Sequence, residues 1–338
     1  MKGLSVTFTA PKEVSVVNGE LPALGSGQVL VRTLFSAISP GSEMLLYRGD
    51  FPQDMPLDEN LPALAGEFAY PLKYGYSVVG EVVEAGAGVD SSWVNRLVFA
   101  FQPHTSHFIT DPEALLPLPE DLNPEEALFL PNMETAVNFL MDGAPMIGER
   151  VIVFGQGIVG LLTTALLSQY PLADLITLDR YELRRSSSLT LGAHICLDPG
   201  QPEAQERLLA TLPDGADLSY ELSGAPGALN QAIAITGYNG RVVIGSWYGG
   251  KRADLDLGGH FHRSRIRLIS SQVSTIAPDL QGRWTKARRF NLAWEMIKKI
   301  QPSRFITHRI PVERASEAYQ LIDQKPEESV QVVFTYQT

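Results

Sequence analysis

The chain contains 338 residues, of which 44% are hydrophobic and 19% are charged. At roughly 150 residues per domain this length predicts about two domains, and the composition excludes a disordered chain. With 27 Lys and Arg against 38 Asp and Glu, the net charge is -11. An acidic chain of this kind argues against nucleic acid or an anionic membrane as a partner, so we expect a small-molecule ligand.

The cysteine count and the apolar runs indicate the compartment. Cys196 is the single cysteine, which excludes an internal disulfide and a cysteine-rich zinc site. The N-terminal segment lacks a signal-peptide core, and no uncharged apolar run approaches the ~20 residues needed to cross a bilayer. We therefore expect a protein of the reducing cytoplasm with no membrane segment.

The first part of the chain has short β patterns between Gly and Pro residues. Strands are predicted from Gly27, Tyr76 and Arg96. At Asn123 the pattern changes: an Asn before a Pro and two acids is typical of a helix start, and this helix is expected to run through Leu140.

From Arg150 the pattern alternates between strand and helix, which predicts a parallel sheet covered on both faces. The predicted strands are 151–154, 175–179, 194–197, 218–222, 241–245 and 268–273, with helices at 158–169 and 182–191. After about Pro278 the alternation stops, and a helix at 286–300 and a strand at 330–335 are expected to return to the first domain. We predict a β-rich domain of residues 1–122 with 278–338, and a parallel-sheet domain of residues 123–277.

The clearest motif is a GxGxxG sequence between a buried strand and an apolar helix. In such a motif the first glycine permits a tight turn, the second admits a pyrophosphate, and the third allows close packing of helix on strand. The candidate phosphate-binding residues are Gly155, Gln156, Gly157, Ile158, Val159 and Gly160. The motif and its flanks predict a dinucleotide site.

Asp179 ends the second strand of this domain, 24 residues after Gly155. An acid at about this distance binds the adenosine ribose hydroxyls and repels a 2′-phosphate, so NAD is favoured over NADP. Arg180, Arg184 and Arg185 leave NADP open because an Arg beside the ribose accommodates that phosphate. The alternative is that Arg184 and Arg185 lie on a solvated helix face.

Two later strand ends are further candidates for cofactor contacts, because ligands collect at the carboxyl ends of parallel strands. These ends carry Ser223 and Gly224, and Gly245 and Ser246. Ordinary turn chemistry would also explain Gly and Ser at these places.

Three further segments resemble the medium-chain dehydrogenase/reductase family: 37–43, 75–86 and 147–150. The resemblance implies an α/β fold with a GroES-like β-rich catalytic domain and a doubly wound Rossmann domain. It also implies a nicotinamide contact at Thr135 and a homodimer joined through the Rossmann sheets. The runs 38–52 and 70–80 are most similar to the branch that contains the bacteriochlorophyllide hydroxyethyl dehydrogenase, which oxidises a secondary alcohol on a large ring with NAD.

The sequence departs from the family's zinc-dependent members at each catalytic metal ligand. Pro40 stands in place of a Cys, Tyr76 and Ser77 replace a His-Glu pair, and Pro131 stands at the third-ligand position. Proline has no side-chain donor atom, and Tyr and Ser are poor zinc ligands. We therefore expect no zinc.

Without a metal, side chains have to polarise the substrate oxygen and move its proton. By resemblance, Ser42 corresponds to the family's proton-relaying hydroxyl, Glu43 to the acid beside it, and Tyr76 to a former ligand position. His104 follows a strand in a loop that the family places near the cleft, where a histidine is a natural acid or base. The alternatives are a turn cap for Ser42, a surface acid for Glu43, a packed phenol for Tyr76 and a polar loop for His104.

Three functions remain open at this stage. The first is a zinc-independent, NAD-preferring dehydrogenase of a secondary alcohol, with a bulky or anionic substrate suggested by the basic run 260–267. That run is equally explained as a solvated edge. The second is a reductase of a conjugated carbon–carbon double bond, and the third is a nucleotide-binding sensor without catalysis.

Overall fold

The computed structural model describes residues 2–52, 54–57 and 61–337. In chain order its strands are β1 (Lys2–Ala10), β2 (Glu13–Glu20), β3 (Val29–Ala37), β4 (Val78–Ala85), β5 (Leu97–Ala100), β6 (His107–Thr110), β7 (Leu116–Pro117), β8 (Arg150–Phe154), β9 (Asp174–Leu178), β10 (Ile195–Leu197), β11 (Ala216–Glu221), β12 (Thr236–Ile244), β13 (Arg267–Ser270), β14 (Ile306–Pro311) and β15 (Gln331–Thr335). Its α-helices are α1 (Glu43–Arg48), α2 (Pro124–Ala127), α3 (Leu130–Gly143), α4 (Ile158–Leu167), α5 (Glu182–Thr190), α6 (Pro202–Thr211), α7 (Pro226–Ile235), α8 (His260–Arg263), α9 (Lys286–Ile300) and α10 (Ala315–Gln324).

The chain divides into two compact units. The β-rich unit comprises residues 1–131 and 297–338, and the parallel-sheet unit comprises residues 132–296. Both divisions lie later in the chain than the predicted 122/123 and 277/278, because α3 and α9 continue across them. The β-rich unit is thus discontinuous in sequence, with its last part supplied by the C-terminal segment.

The β-rich unit contains a mixed sheet in the order β14-β15-β3-β4-β5-β7, with β6 also pairing with β3, and a β1-β2 hairpin. Its core includes one face of α10, whose buried residues recur at the spacing of an amphipathic helix: Ala315, Ala318, Tyr319 and Ile322. The Tyr319 ring meets Phe8 of β1 edge to face at 5.0 Å. The C-terminal helix therefore completes the core that the N-terminal strands begin.

The parallel-sheet unit has the strand order β10-β9-β8-β11-β12-β13, with every pairing parallel. This is the doubly wound Rossmann order, in which the strand sequence reverses beside the first strand. The predicted α/β fold with a GroES-like and a Rossmann domain is confirmed. The carboxyl ends of the six strands share one edge of this sheet, where the glycine motif begins.

Two predicted elements differ from the structure. The helix expected from Asn123 is interrupted, since α2 ends at Ala127 and α3 begins at Leu130. The strand expected at 268–273 ends at Ser270, and an irregular segment follows. In the part of the chain that the structure describes, no helix has both the length and the apolar character needed to span a bilayer.

Candidate active site

The glycine motif forms the turn from β8 into α4. Gly155 has φ +90°, and a Cβ there would lie 2.6 Å from Cα of Ser223. A Cβ at Gly160 would lie 2.0 Å from the carbonyl oxygen of Gly155, so helix and strand could not approach as they do. A Cβ at Gly157 would meet nothing within 4 Å. Gly155 and Gly160 are therefore packed tightly against protein atoms. Gly157 has free space beside it, where a pyrophosphate would approach the start of α4.

Asp179 lies directly after β9 and is almost fully buried. One carboxylate oxygen accepts the backbone N–H of Gln156 at 2.7 Å, and the other accepts the N–H of Tyr181 at 2.9 Å. The Gln156 side chain is buried too, where its amide accepts from the Thr164 hydroxyl at 2.9 Å. These bonds join the ends of β8 and β9, so the motif and its ribose acid form one group.

The arginines that follow Asp179 have different surroundings. Arg185 donates to the carbonyl oxygens of Asp179 and Arg180 and forms ion pairs with Glu182 and Asp198. Arg184 stacks on the ring of Tyr181 at 4.9 Å, and Arg180 is exposed. Because Arg185 bonds to backbone and to two carboxylates, the expected solvated face is wrong for this residue.

The ends of β11 and β12 are joined through a buried carboxylate. Glu221 is fully buried and accepts bonds from the N–H and hydroxyl of Ser223 and from the phenol of Tyr248. The hydroxyl of Ser246 accepts the N–H of Gly224 at 2.8 Å. Burial and the Glu221 carboxylate raise the pKa of Tyr248, so its phenol stays protonated as a donor. Ser223, Gly224 and Ser246 thus lie in one bonded cluster.

Two remaining cofactor candidates lie close to α3. A Cβ on Gly245 would lie 2.2 Å from the ring of Phe139, so glycine is required where β12 ends against this helix. Thr135 lies one turn earlier on α3 and is half-buried. The sequence-predicted cofactor residues therefore gather at the carboxyl edge of the sheet, with Thr135 on the neighbouring helix.

In the β-rich unit, Glu43 and His104 form a fully buried hydrogen-bonded pair. Nε2 of His104 lies 3.0 Å from Oε2 of Glu43. The same oxygen accepts the phenol of Tyr319, and Oε1 accepts the backbone N–H of Ser39 at 2.7 Å. Burial and the Glu43 carboxylate hold the pKa of Tyr319 well above its ordinary value, so the phenol remains a donor. His104, Tyr319 and Ser39 thus converge on one buried side chain, that of Glu43.

The network continues on the other side of the imidazole. Nδ1 of His104 lies 2.7 Å from the hydroxyl of Ser36, which in turn lies 2.7 Å from the phenol of Tyr336. Burial raises the pKa of Tyr336. The ring of His104 also meets Phe334 edge to face at 5.0 Å. Both imidazole nitrogens are therefore engaged with protein groups.

Tyr76 and Ser42 form a second, partly exposed group beside this network. The phenol of Tyr76 donates to the hydroxyl of Ser39, and the hydroxyl of Ser42 lies 3.3 Å from the same phenol oxygen. Ser39 joins the two groups, because Glu43 bonds both its N–H and its carbonyl oxygen. The half-buried side chains of Tyr76 and Ser42 are thus linked through Ser39 to the buried Glu43–His104 pair.

The structure corrects three interpretations of these side chains. His104 does not face solvent from an open polar loop, because Ser36, Glu43 and Phe334 enclose its ring. The alternative of a surface acid for Glu43 is also wrong, since its side chain has no exposed area. The turn-cap alternative for Ser42 fails as well, because its side chain caps no N–H of α1.

The positions that correspond to zinc ligands carry other chemistry. Tyr76 bonds Ser39, and the hydroxyl of Ser77 is buried and donates to the carbonyl oxygen of Leu128 at 2.7 Å. Pro40 and Pro131 offer no side-chain donor. Within residues 2–52, 54–57 and 61–337, no group of three or more His, Cys, Asp or Glu side chains is arranged to hold a metal ion.

Comparison with known proteins agrees with this architecture. Residues 159–291 match a family model described as zinc-binding dehydrogenase. The D-guloside 3-dehydrogenase of Escherichia coli strain K12 is 24% identical over 345 residues, covering 97% of this chain and 98% of that protein. The (R,R)-butanediol dehydrogenase of Bacillus subtilis strain 168 is 28% identical over 261 residues, covering 69% of this chain and 74% of that protein.

Part of the parallel-sheet unit is thus similar to zinc-binding dehydrogenases, and most of the chain is similar in sequence to dehydrogenases of secondary alcohols at 24–28% identity. A solved structure with the same fold is a protein from Escherichia coli CFT073 described as a short chain alcohol dehydrogenase, in complex with NADH. It superposes with a TM-score of 0.79 at 18% identity, and 99% of each chain is covered. The glycine turn of this chain leaves room for a dinucleotide phosphate at Gly157, where a Cβ would meet nothing within 4 Å, whereas a Cβ at Gly155 or Gly160 would clash with backbone atoms.

Sequence reasoning missed several members of these groups. Ser36, Ser39, Tyr319 and Tyr336 come from a strand, a turn, a helix and the chain's last segment, and each reads as ordinary core or turn on its own. The sequence contains an indication for Tyr248, because this residue lies two positions after the candidate Ser246, in the same loop after β12. Only the folded chain shows that Tyr248 bonds Glu221.

Proposed function

We propose that this protein is a zinc-independent, NAD-preferring oxidoreductase that transfers a hydride between nicotinamide and a secondary alcohol or its ketone. The observation that supports it best is the partly exposed Tyr76 phenol, bonded to Ser39 and near Ser42. The names D-guloside 3-dehydrogenase and (R,R)-butanediol dehydrogenase denote oxidation of a secondary alcohol. A phenol in this position supplies the proton donor that such a reaction needs at the substrate oxygen.

A catalytic zinc ion does not fit the side chains at the ligand positions. Zinc sites in proteins are built from Cys thiolates, His nitrogens and carboxylates. Here the candidates are two prolines, a phenol bonded to Ser39 and a buried serine hydroxyl bonded to Leu128. The mechanism therefore uses side-chain hydroxyls at the substrate oxygen and no metal-bound step.

The bound dinucleotide supplies or takes up the hydride. In the direction of reduction, the phenol of Tyr76 turns its single O–H proton from the Ser39 hydroxyl to the substrate carbonyl oxygen and donates a hydrogen bond there, while the Ser39 hydroxyl donates to the phenol oxygen in turn. As the carbon accepts the hydride, the phenol proton passes to that oxygen and completes the alcohol. Tyr76 then recovers a proton through the hydroxyl of Ser42, which lies 3.3 Å away and exchanges with water. Oxidation follows the same path in reverse.

The buried pair behind this phenol has a positioning role. Glu43 bonds both backbone groups of Ser39, and Ser39 accepts the Tyr76 phenol. His104 holds the Glu43 carboxylate from the other side at 3.0 Å. Because Glu43 and His104 have no exposed area, they act on the substrate through Ser39 and Tyr76.

NAD is the proposed cofactor. Asp179 presents a carboxylate at the ribose position, where a 2′-phosphate would meet its negative charge. Arg185 is already engaged with two carbonyl oxygens and two carboxylates, so it would have to leave four partners to bind that phosphate. The exposed Arg180 is the remaining cation that NADP would use.

We also propose a bulky or anionic substrate and a homodimer. The similarity to the bacteriochlorophyllide hydroxyethyl dehydrogenase branch and the exposed basic residues between His262 and Arg267 favour a bulky or anionic substrate. β13 is one of the two edge strands of its sheet, with β10 at the other edge, and an unpaired edge strand is able to pair with a second copy of the chain. Light scattering of the purified protein tests the dimer directly.

Turnover and metal content, measured on the same preparation, test the proposed function. The protein is mixed with NADH or NADPH and a panel of secondary alcohols, ketones and enones, and cofactor absorbance is followed. We expect turnover of an alcohol–ketone pair with NAD(H), unchanged after dialysis against a chelator. Stoichiometric zinc, or activity lost on chelation, contradicts the metal-free mechanism. Activity on enones alone indicates a double-bond reductase, and cofactor binding without any turnover indicates a sensor.

The role of Tyr76 is tested by Tyr76→Phe. Removal of a general acid of this kind lowers kcat about 100-fold, whereas the Kd for NADH stays unchanged because Tyr76 belongs to a separate unit from the glycine motif. The matched control is Tyr238→Phe, which removes a phenol from a side chain that is 71% exposed. Equal kcat values for Tyr76→Phe and the control remove Tyr76 from the mechanism.

A further inference from the structure

Arg289 of α9 is a fully buried cation in the parallel-sheet unit. Its Nε and Nη2 donate to one carboxylate oxygen of Glu134 at 3.0 and 2.8 Å. Its other donors bond the side-chain oxygen of Asn138, the carbonyl oxygen of Thr275 at 3.0 Å and the carbonyl oxygen of Val273. All five N–H groups of the guanidinium are therefore used.

Two of these acceptors lie in an irregular segment, residues 271–275, that directly follows β13. This segment forms neither helix nor strand. The hydroxyl of Ser271 bonds Asp142 at 2.5 Å and Asn138 at 3.0 Å, and the N–H of Ser274 donates to the side chain of Gln272 at 3.0 Å. Its conformation is thus held by side chains of α3 and α9, with Arg289 bonding its last turn.

The position of segment 271–275 on the sheet indicates which half of a bound dinucleotide it lies beside. All six strands of the sheet are parallel, so the segment after β13 lies at the same edge as Gly155 and Asp179. In this strand order a dinucleotide crosses the edge, with its adenosine half beside β8 and β9 and its other half on the side of β11 to β13. The segment 271–275 therefore belongs to the side that receives the nicotinamide half.

We propose that Arg289 is a positioning residue, which fixes segment 271–275 for the nicotinamide half of the dinucleotide. The proposal rests on the dinucleotide binding in the proposed function. An ion pair with Glu134 alone would need one edge of the guanidinium, whereas the remaining donors hold two backbone carbonyls of the segment. A lysine keeps the charge, but its compact ammonium lacks the planar fork that reaches all of these acceptors.

Two probes separate this role from a general structural one. NADH contains both halves of the ligand, and ADP-ribose contains only the half that the glycine motif and Asp179 would bind. For Arg289→Lys we expect the affinity for NADH to fall about tenfold, while the affinity for ADP-ribose stays at the wild-type value. Isothermal titration gives both constants without any substrate. The matched control is Arg288→Lys at the neighbouring exposed position, which is expected to change neither.

The outcomes distinguish the two proposals. Equal losses for NADH and ADP-ribose, or no loss for either, overturn the role of Arg289. A wild-type protein that binds neither probe overturns the proposed function and the role of Arg289 together. If Arg289→Lys does not fold, Ser271→Ala removes the segment's bonds to Asn138 and Asp142. A selective loss of NADH affinity in Ser271→Ala then supports the role of the held segment, and equal affinities overturn it.

Discussion

Nε2 of His104 lies 3.0 Å from Oε2 of Glu43, and neither side chain has any exposed surface. Ser39, Tyr319 and Ser36 satisfy the remaining positions around this pair. A buried polar pair with complete hydrogen bonding is tolerated in a protein interior, whereas a buried polar group that has lost its partner is costly. The β-rich unit therefore depends on both partners being present.

Replacement of His104 is expected to destabilise the protein. His104→Ala leaves the fully buried Glu43 side chain without one of its hydrogen-bond partners, and we expect the free energy of unfolding to fall by about 3 kcal/mol. In the double variant with Glu43→Gln the loss is smaller than the sum of the single losses, because no carboxylate remains unpaired. Urea denaturation measures all three variants. Strictly additive losses would contradict the coupling.

Gly75 is expected to tolerate no side chain. Its φ is +119°, and a Cβ there would lie 2.8 Å from two ring atoms of His104. Gly75→Ala combines backbone strain with displacement of the imidazole, so we expect a loss of about 2 kcal/mol in unfolding free energy. Gly19→Ala is the control, because a Cβ there meets nothing within 4 Å and its φ is ordinary. Similar stabilities of the two variants would show that the imidazole moves without cost.

Asp179 is expected to determine the choice between NADH and NADPH. Asp179→Ala removes the carboxylate that would bind the ribose hydroxyls, and it frees the N–H of Gln156. We expect the ratio of NADPH to NADH affinity to rise about tenfold, mainly through weaker NADH binding. Fluorescence titration with both cofactors checks the ratio, with exposed Asp254→Ala as the control. An unchanged ratio would assign the selection to Arg180 or another group.

Asp142 links stability to pH. Burial raises the pKa of its carboxyl above the ordinary value of 3.8, so the folded chain binds this proton more tightly than the unfolded chain does. This contribution is fully present below the ordinary value and is lost as the pH rises through the raised one. Asp142→Asn is therefore expected to lose less stability than the wild type as the pH rises from the ordinary value of 3.8 through the raised pKa of Asp142.

Urea denaturation across that pH range gives the comparison for Asp142→Asn. The control is Asp279→Asn, because Asp279 is exposed and lies outside the network around Ser271. We expect the control to follow the wild-type curve. Parallel curves for Asp142→Asn and the wild type would mean that this carboxyl does not contribute to the pH dependence.

The cofactor half of the site could be predicted from the sequence, because its determinants are local. The turn between β8 and α4 needs glycine at Gly155 and Gly160 for steric reasons that act within a few residues, and Asp179 follows from the length of one β-α-β repeat. The parallel sheet was likewise predicted from its alternating apolar pattern. Register and length were less certain, as the early end of β13 shows.

The catalytic half could not be predicted in the same way. The sequence predicts His104 in a polar loop, but three separate parts of the chain supply Ser36, Glu43 and Phe334 to enclose its ring. No periodicity in a single segment encodes such a convergence. Tyr319 has the spacing of a core residue on α10. Its phenol oxygen, which bonds Glu43, is the one atom that does more than pack in the core.

The discontinuity of the β-rich unit has a consequence for synthesis of the protein. Glu43 is made early, whereas its phenol donor Tyr319 is separated from it by 276 positions. A ribosome completes the whole intervening segment 132–296 before that donor exists. Until then the nascent N-terminal strands carry a carboxylate whose burial is incomplete, so closure of the catalytic half has to wait for the end of translation.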